Sequence, residues 1–143
     1  MTSLGHDTKR PRRQRSRAAP RRGADWQNHR SLYETYRVLG YGFLESVYRK
    51  ALAIELRSRG LRVQEEVPIE VFFKGANVGR FRLGLLVEGR VGVEIKASAT
   101  LGPTDKDQTL NYLTSTTVDD VGLLLHFGPS PKLYRFVSPR VLE

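Results

Sequence analysis

The chain has 143 residues, 24 Lys and Arg, 15 Asp and Glu, no cysteine and a formal net charge of +9. That length suits one domain. The missing cysteines exclude disulfides, thiolate zinc sites, iron–sulfur clusters and cysteine nucleophiles, and they fit a reducing compartment such as the cytoplasm. No apolar run is long enough to cross a bilayer, so no membrane partner is expected.

The charge is concentrated. Residues 1–23 hold Lys9, Arg10, Arg12, Arg13, Arg15, Arg17, Arg21 and Arg22 against one acid, Asp7. With Leu4 as its single large aliphatic residue, this stretch cannot offset its ordering entropy and reads as a disordered basic tail. It lacks the apolar core of a secretory signal. Arg10, Arg12, Arg13, Arg15, Arg17, Arg21 and Arg22 are the candidate contacts to a nucleic-acid backbone, since each can displace a condensed counterion. A merely solubilising extension is the plain alternative. Residues 24–143 carry only +2 and form the single folded domain.

Ala24 to Val38 reads as a helix with Trp26, His29, Leu32, Tyr33 and Tyr36 near one face. Gly40-Tyr41-Gly42 breaks it. A second helix is expected from Phe43 to about Arg59, with Leu44, Val47, Tyr48, Ala51, Leu52 and Ile54 as its apolar stripe and Gly60 as its stop. Val63 to Phe73 alternates like a strand, with Pro68 marking an edge or irregularity. Lys74 to Asn77 is a turn, Val78 to Val87 a second strand, Glu88-Gly89-Arg90 a turn, and Val91 to Ala97 a third strand. Thr104 and Asp107 resemble a capping box opening a helix that runs to about Ser115. Val121 to His126 and Leu133 to Val137 read as two further strands. The helix before residue 121 allows a crossover and a parallel pairing. The fold class is therefore α/β: a mixed sheet with a three-stranded meander, a crossover helix and further strands, flanked by helices.

Glu94-Ile95-Lys96 is the most informative tripeptide. Glu94 and Lys96 lie two apart on a strand and share a face. Burying that pair is costly unless it forms an ion pair or lines a cleft. A cleft would let the carboxylate bind a metal and the ammonium steady a water or a phosphate. Leu83, Leu85 and Val87 should share a face with Val91, Val93 and Ile95. Setting Val87 opposite Val91 achieves this and places Gly84 opposite Glu94 and Arg82 opposite Lys96.

Gly42-Phe43-Leu44-Glu45-Ser46-Val47-Tyr48 resembles the motif of the GxxExxY protein family, a branch of the PD-(D/E)XK nuclease superfamily. The likeness continues through Ala51 to Leu56, Val67-Pro68-Ile69, Lys74-Gly75, Val87-Glu88, Val93 to Ala97, Gln108 to Leu113 and Gly122-Leu123-Leu124. It spans roughly residues 28–137. The resemblance implies a restriction-endonuclease-like core and a divalent metal, Mg²⁺, acting on a nucleic-acid phosphodiester. Catalytic roles then fall to Glu45, Glu94, Lys96 and Gln108, with Glu45 and Glu94 as metal ligands. One expected residue is missing. Family members usually read Arg-x-Asp-Leu-Leu-Val where this chain reads Arg82-Leu83-Gly84-Leu85-Leu86-Val87, so the metal-anchoring acid is replaced by Gly84 and the Mg²⁺ site is weakened. Glu70, paired across the hairpin with Arg82, is a candidate substitute, although that ion pair is its more ordinary role. Glu45 also has an ordinary role, favouring its helix dipole and pairing with Arg49. Tyr48 fits core packing, and His126 a satisfied structural histidine. The expectation is a nuclease-like domain with impaired cleavage. The alternative is an inactive nucleic-acid-binding or protein-interaction module on the same fold.

Overall fold

The computed structural model describes residues 27–115 and 121–137. The basic tail of residues 1–23 and Trp26 lie outside the described residues. Element order follows the expectation: helix α1 (residues 27–39), α2 (Glu45–Ser58), β1 (Val63–Phe73), β2 (Ala76–Val87), β3 (Val91–Lys96), α3 (Pro103–Ser115), β4 (Val121–Phe127) and β5 (Pro131–Val137). The five strands form one sheet in the order β1-β2-β3-β4-β5. β3 and β4 run parallel, and the other neighbours are antiparallel. Among the described residues no helix is long and apolar enough to cross a membrane.

The expected β2–β3 register is the observed one, with Leu85 opposite Val93 and Val87 opposite Val91. Leu85, Val87, Val91, Val93 and Ile95 pack with Tyr48, Leu52 and Leu56 of α2 in the main core. Leu83 departs from the expectation. It joins Ile69, Leu86 and Leu113 in a second cluster. The cause lies beside it: Glu66 holds a left-handed backbone (φ 52°), and the β1–β2 ladder skips from Glu65–Leu85 to Val67–Leu83. That distortion ends the simple alternation at Gly84.

Three smaller expectations are corrected. Leu44 and Ile54 are exposed, because Leu44 precedes α2 and Ile54 points a third of a turn away from the buried face of Tyr48, Leu52, Ala53 and Leu56. α3 starts at Pro103, where the missing N–H costs nothing, so Thr104 lies inside the first turn and is not a cap. On α1, His29 and Tyr33 are exposed, and the buried face carries Leu32 with Asn28, Ser31 and Thr35.

Gly122 lets α3 reach the sheet. A Cβ there would lie 2.9–3.2 Å from three Leu113 side-chain atoms. Gly122→Ala is expected to cost about 1–3 kcal/mol by overpacking, read as a lower melting temperature.

Candidate active site

Glu45 and Glu94 line the same cleft. A cleft of about 250 Å³ is lined by Glu45 and Arg49 of α2, Glu66 of β1, Arg82 and Gly84 of β2, and Glu94 and Ile95 of β3. Glu45 reaches it because α2 starts at that residue. The start is fixed by Tyr48, whose hydroxyl donates to the Gly40 carbonyl (2.6 Å) and accepts from the Phe43 N–H (3.3 Å). Its ring stacks on Phe127 with centroids 4.3 Å apart. Tyr48 therefore holds the Gly40–Leu44 bend rather than touching the cleft. Tyr48→Phe is expected to cost about 1–2 kcal/mol, because it removes the donor from the part-buried Gly40 carbonyl. Urea unfolding would measure this.

Glu94 is almost fully buried. Its Oε1 accepts the Gly84 N–H at 3.0 Å. Burial pushes its carboxyl up to about 7. The Gly84 hydrogen bond, Lys96 and Arg49 act the other way, and Glu45 adds to the rise. A Cβ built on Gly84 would lie 3.5 Å from Glu94 Oε1, 3.2 Å from the Val93 carbonyl oxygen and 4.0 Å from Arg49 Cδ. A side chain at position 84 would therefore enter the cleft beside Glu94, where a second metal-binding acid is wanted.

Arg49 crosses that space. It pairs with Glu66 Oε2 at 2.7 Å and Glu65 Oε1 at 3.7 Å, and not with Glu45 as the helical spacing suggests. Glu66 also faces Arg82 Nη1 at 3.8 Å. The expected Glu70–Arg82 pair is not formed. Glu70 pairs with Arg80 at 3.2 Å, because the two-residue Lys74-Gly75 turn and the one-residue register shift between Val71 and Phe72 together set Glu70 opposite Arg80 and Arg82 opposite Pro68. Glu66, not Glu70, is the further acid of the cleft. Sequence reading missed Arg49 and Glu66. Arg49 lies one helical turn after Glu45, and Glu66 falls across the hairpin from Gly84, so both signals were present.

The remaining candidates lie at the periphery. Lys96 is half-buried and acts on Glu94 by its charge, but it does not line the cleft. Gln108 is exposed on α3 and does not line the cleft. His126 is buried and donates from Nε2 to the Ser98 carbonyl at 2.9 Å, a structural role.

These residues do not fit a divalent cation as they stand. Among the described residues no three of His, Asp and Glu are placed to hold a metal. Glu94 already accepts a backbone N–H, position 84 offers no side-chain oxygen, and Arg49 lines the same cleft with its own positive charge.

A model of the PD-(D/E)XK nuclease superfamily matches residues 27–136, most of the chain. The chain belongs to the PD-(D/E)XK nuclease superfamily. The mixed five-stranded sheet with flanking helices accords with the restriction-endonuclease-like fold of that superfamily. No curated protein matches it. No solved structure matches it either.

Proposed function

We propose that this superfamily member, of the GxxExxY branch, is a cytoplasmic nucleic-acid-binding protein whose metal-dependent phosphodiester hydrolysis is impaired. One observation carries the reading: Glu45 and Glu94 line one cleft, and the position beside Glu94 in that cleft is Gly84. The ancestry supports nucleic acid as the substrate class. In this reading Glu45 and Glu94 are the remnants of a Mg²⁺ site, Lys96 supplies nearby positive charge, and Gln108 assists from α3. The arginines of residues 1–23 add affinity for the phosphate backbone that is independent of sequence. The Arg49–Glu66 pair favours a second reading, a purely binding module, because it places a cation from the protein itself in the cleft.

The test incubates the purified protein with supercoiled, linear and single-stranded DNA and with RNA, in Mg²⁺ or Mn²⁺, beside Lys96→Ala. Salt-sensitive binding with slow or no cutting is expected, and deleting residues 1–23 should flatten the salt dependence. Rapid cutting by the wild type that Lys96→Ala abolishes would sink the impaired reading. Absence of any nucleic-acid binding would sink the first reading and leave the binding module as one for a protein partner.

A further inference from the structure

Most of β1 and β2 extends past the end of the β2–β3 pairing. β2 pairs with β3 only from Leu85 to Val87, whereas its pairing with β1 continues to Phe73–Ala76. Residues 67–83 therefore form a two-stranded arm whose tip lies about 25 Å from Gly84 at about 3.3 Å per residue. Its root is braced on α3. Phe81 stacks on Tyr112 with centroids 4.4 Å apart, and Ile69 and Leu83 pack with Leu113.

The tip is built rather than loose. Lys74 (φ 49°) and Gly75 (φ 85°) make a two-residue turn of the kind whose twist matches a hairpin. The register shifts between Val71 and Phe72, which leaves Val78 as an extra residue, and Asn77 Oδ1 accepts the Gly79 N–H at 3.0 Å across this bulge. This ordered tip displays Phe72, Phe73 and Val78, with relative exposures of 59%, 61% and 61%. Three large apolar groups displayed together at one hairpin tip form an apolar patch of the kind that marks an interaction site.

We propose that the arm is a nucleic-acid probe: Phe72 and Phe73 stack on or wedge between bases while Lys74, Arg80 and Arg82 face phosphates. This rests on the nucleic-acid reading above. A two-stranded ribbon fits a major groove, and aromatic and apolar side chains serve both as wedges and as stacking platforms. The charge is complementary: Lys74, Arg80 and Arg82 outnumber the one acid of residues 67–83, Glu70, and the exposed ion pairs of Arg80 with Glu70 and Arg82 with Glu66 are of the weak surface kind that phosphate contacts can replace. Lys74 Nζ lies 5.3 Å from the Phe73 ring, which sets a cation beside the base-sized face. The arm is continuous with the cleft, since Arg82 and Gly84 line it. A second copy of the chain fits less well. The outer edge of β1 carries Pro68, Glu65, Glu66 and Glu70, residues that discourage strand-to-strand pairing.

The test compares wild type with Phe72→Ala/Phe73→Ala, using 2-aminopurine-labelled duplex and single-stranded oligonucleotides. The variant should keep its fold and melting temperature, since both rings are exposed. It should bind about ten-fold or more weakly and lose the fluorescence change that reports disturbed stacking. A response on duplex alone indicates a wedge, and a response on single strands alone a stacking platform. Wild-type binding that the variant reproduces in full overturns the arm and leaves the nucleic-acid reading standing. Failure of the wild type to bind overturns both. A wild-type dimer that the variant dissolves, with nucleic-acid affinity unchanged, assigns the tip to a second copy and overturns the proposal.

Discussion

Gly84→Asp alone is expected to raise Mn²⁺- or Mg²⁺-dependent cleavage little, whereas Gly84→Asp combined with Arg49→Gln is expected to raise it several-hundred-fold. The reason is the position of Arg49. A Cβ at residue 84 would lie 4.0 Å from Arg49 Cδ and 3.5 Å from Glu94 Oε1. A new carboxylate there would find a guanidinium before it found a metal, because Arg49 is already held in the cleft by Glu66 at 2.7 Å. An ion pair would consume the anion introduced to bind the cation. Removing the guanidinium leaves the new acid facing Glu94 and Glu45, a hard oxygen set of the kind Mg²⁺ takes. If a restored ligand contributes about 3–4 kcal/mol to the transition state, the rate rises by the stated amount. A readout independent of turnover is the melting temperature. The double variant should be destabilised in chelator, where its carboxylates repel, and should regain stability on adding Mn²⁺. The Val93 carbonyl oxygen, 3.2 Å from the new Cβ, must shift by a few tenths of an ångström, so both variants are compared with wild type for folding. Equal activity and equal metal stabilisation of the single and double variants would remove Arg49 from the account.

The element order and the β2–β3 register were legible because both follow from local rules. Val87-Glu88-Gly89-Arg90-Val91 permits a connection that keeps two apolar faces together, and the observed pairing is that one. That Glu45 and Glu94 line one cleft was suggested by the family motif. What escaped depended on irregular backbone. The exchange of Arg82's partner from Glu70 to Glu66 follows from a turn of two residues instead of four and from the bulge at Val78. The removal of Leu83 from the main core follows from the left-handed conformation of Glu66. Such a conformation costs a residue with a side chain about 1 kcal/mol or more and leaves no trace in hydrophobic alternation. In Glu66 it occurs at the cleft, where the ion pairs to Arg49 and Arg82 hold the distorted residue in place.

Between pH 5 and 8 the stability of the wild type relative to Glu94→Gln is expected to fall by up to about 3 kcal/mol. Glu94 has its carboxyl raised from 4.5 to about 7 by burial. The folded protein therefore holds this proton where the unfolded chain has released it. Below pH 4.5 both states are protonated and the group's full favourable contribution is present. As pH rises towards 7 the unfolded state gains by ionising and the folded state does not, so stability is lost, and above 7 both are ionised and the slope ends. The distance from 4.5 to about 7, at 1.36 kcal/mol per pH unit, sets the upper figure. Gln keeps the acceptor for the Gly84 N–H and cannot ionise, so the variant should match wild type near pH 4 and exceed it at pH 8. Glu88, lowered by the Arg62 N–H, contributes in the opposite sense but titrates below this window and is common to both proteins. Urea midpoints at half-unit steps of pH give the difference curve. A flat curve, or a variant weaker than wild type at pH 8, would show that the Glu94 anion is stabilised in place by Lys96 and Arg49. The cleft would then hold its negative charge at neutral pH, the condition a metal site requires, and the case for impaired cleavage would rest on Gly84 and Arg49 alone.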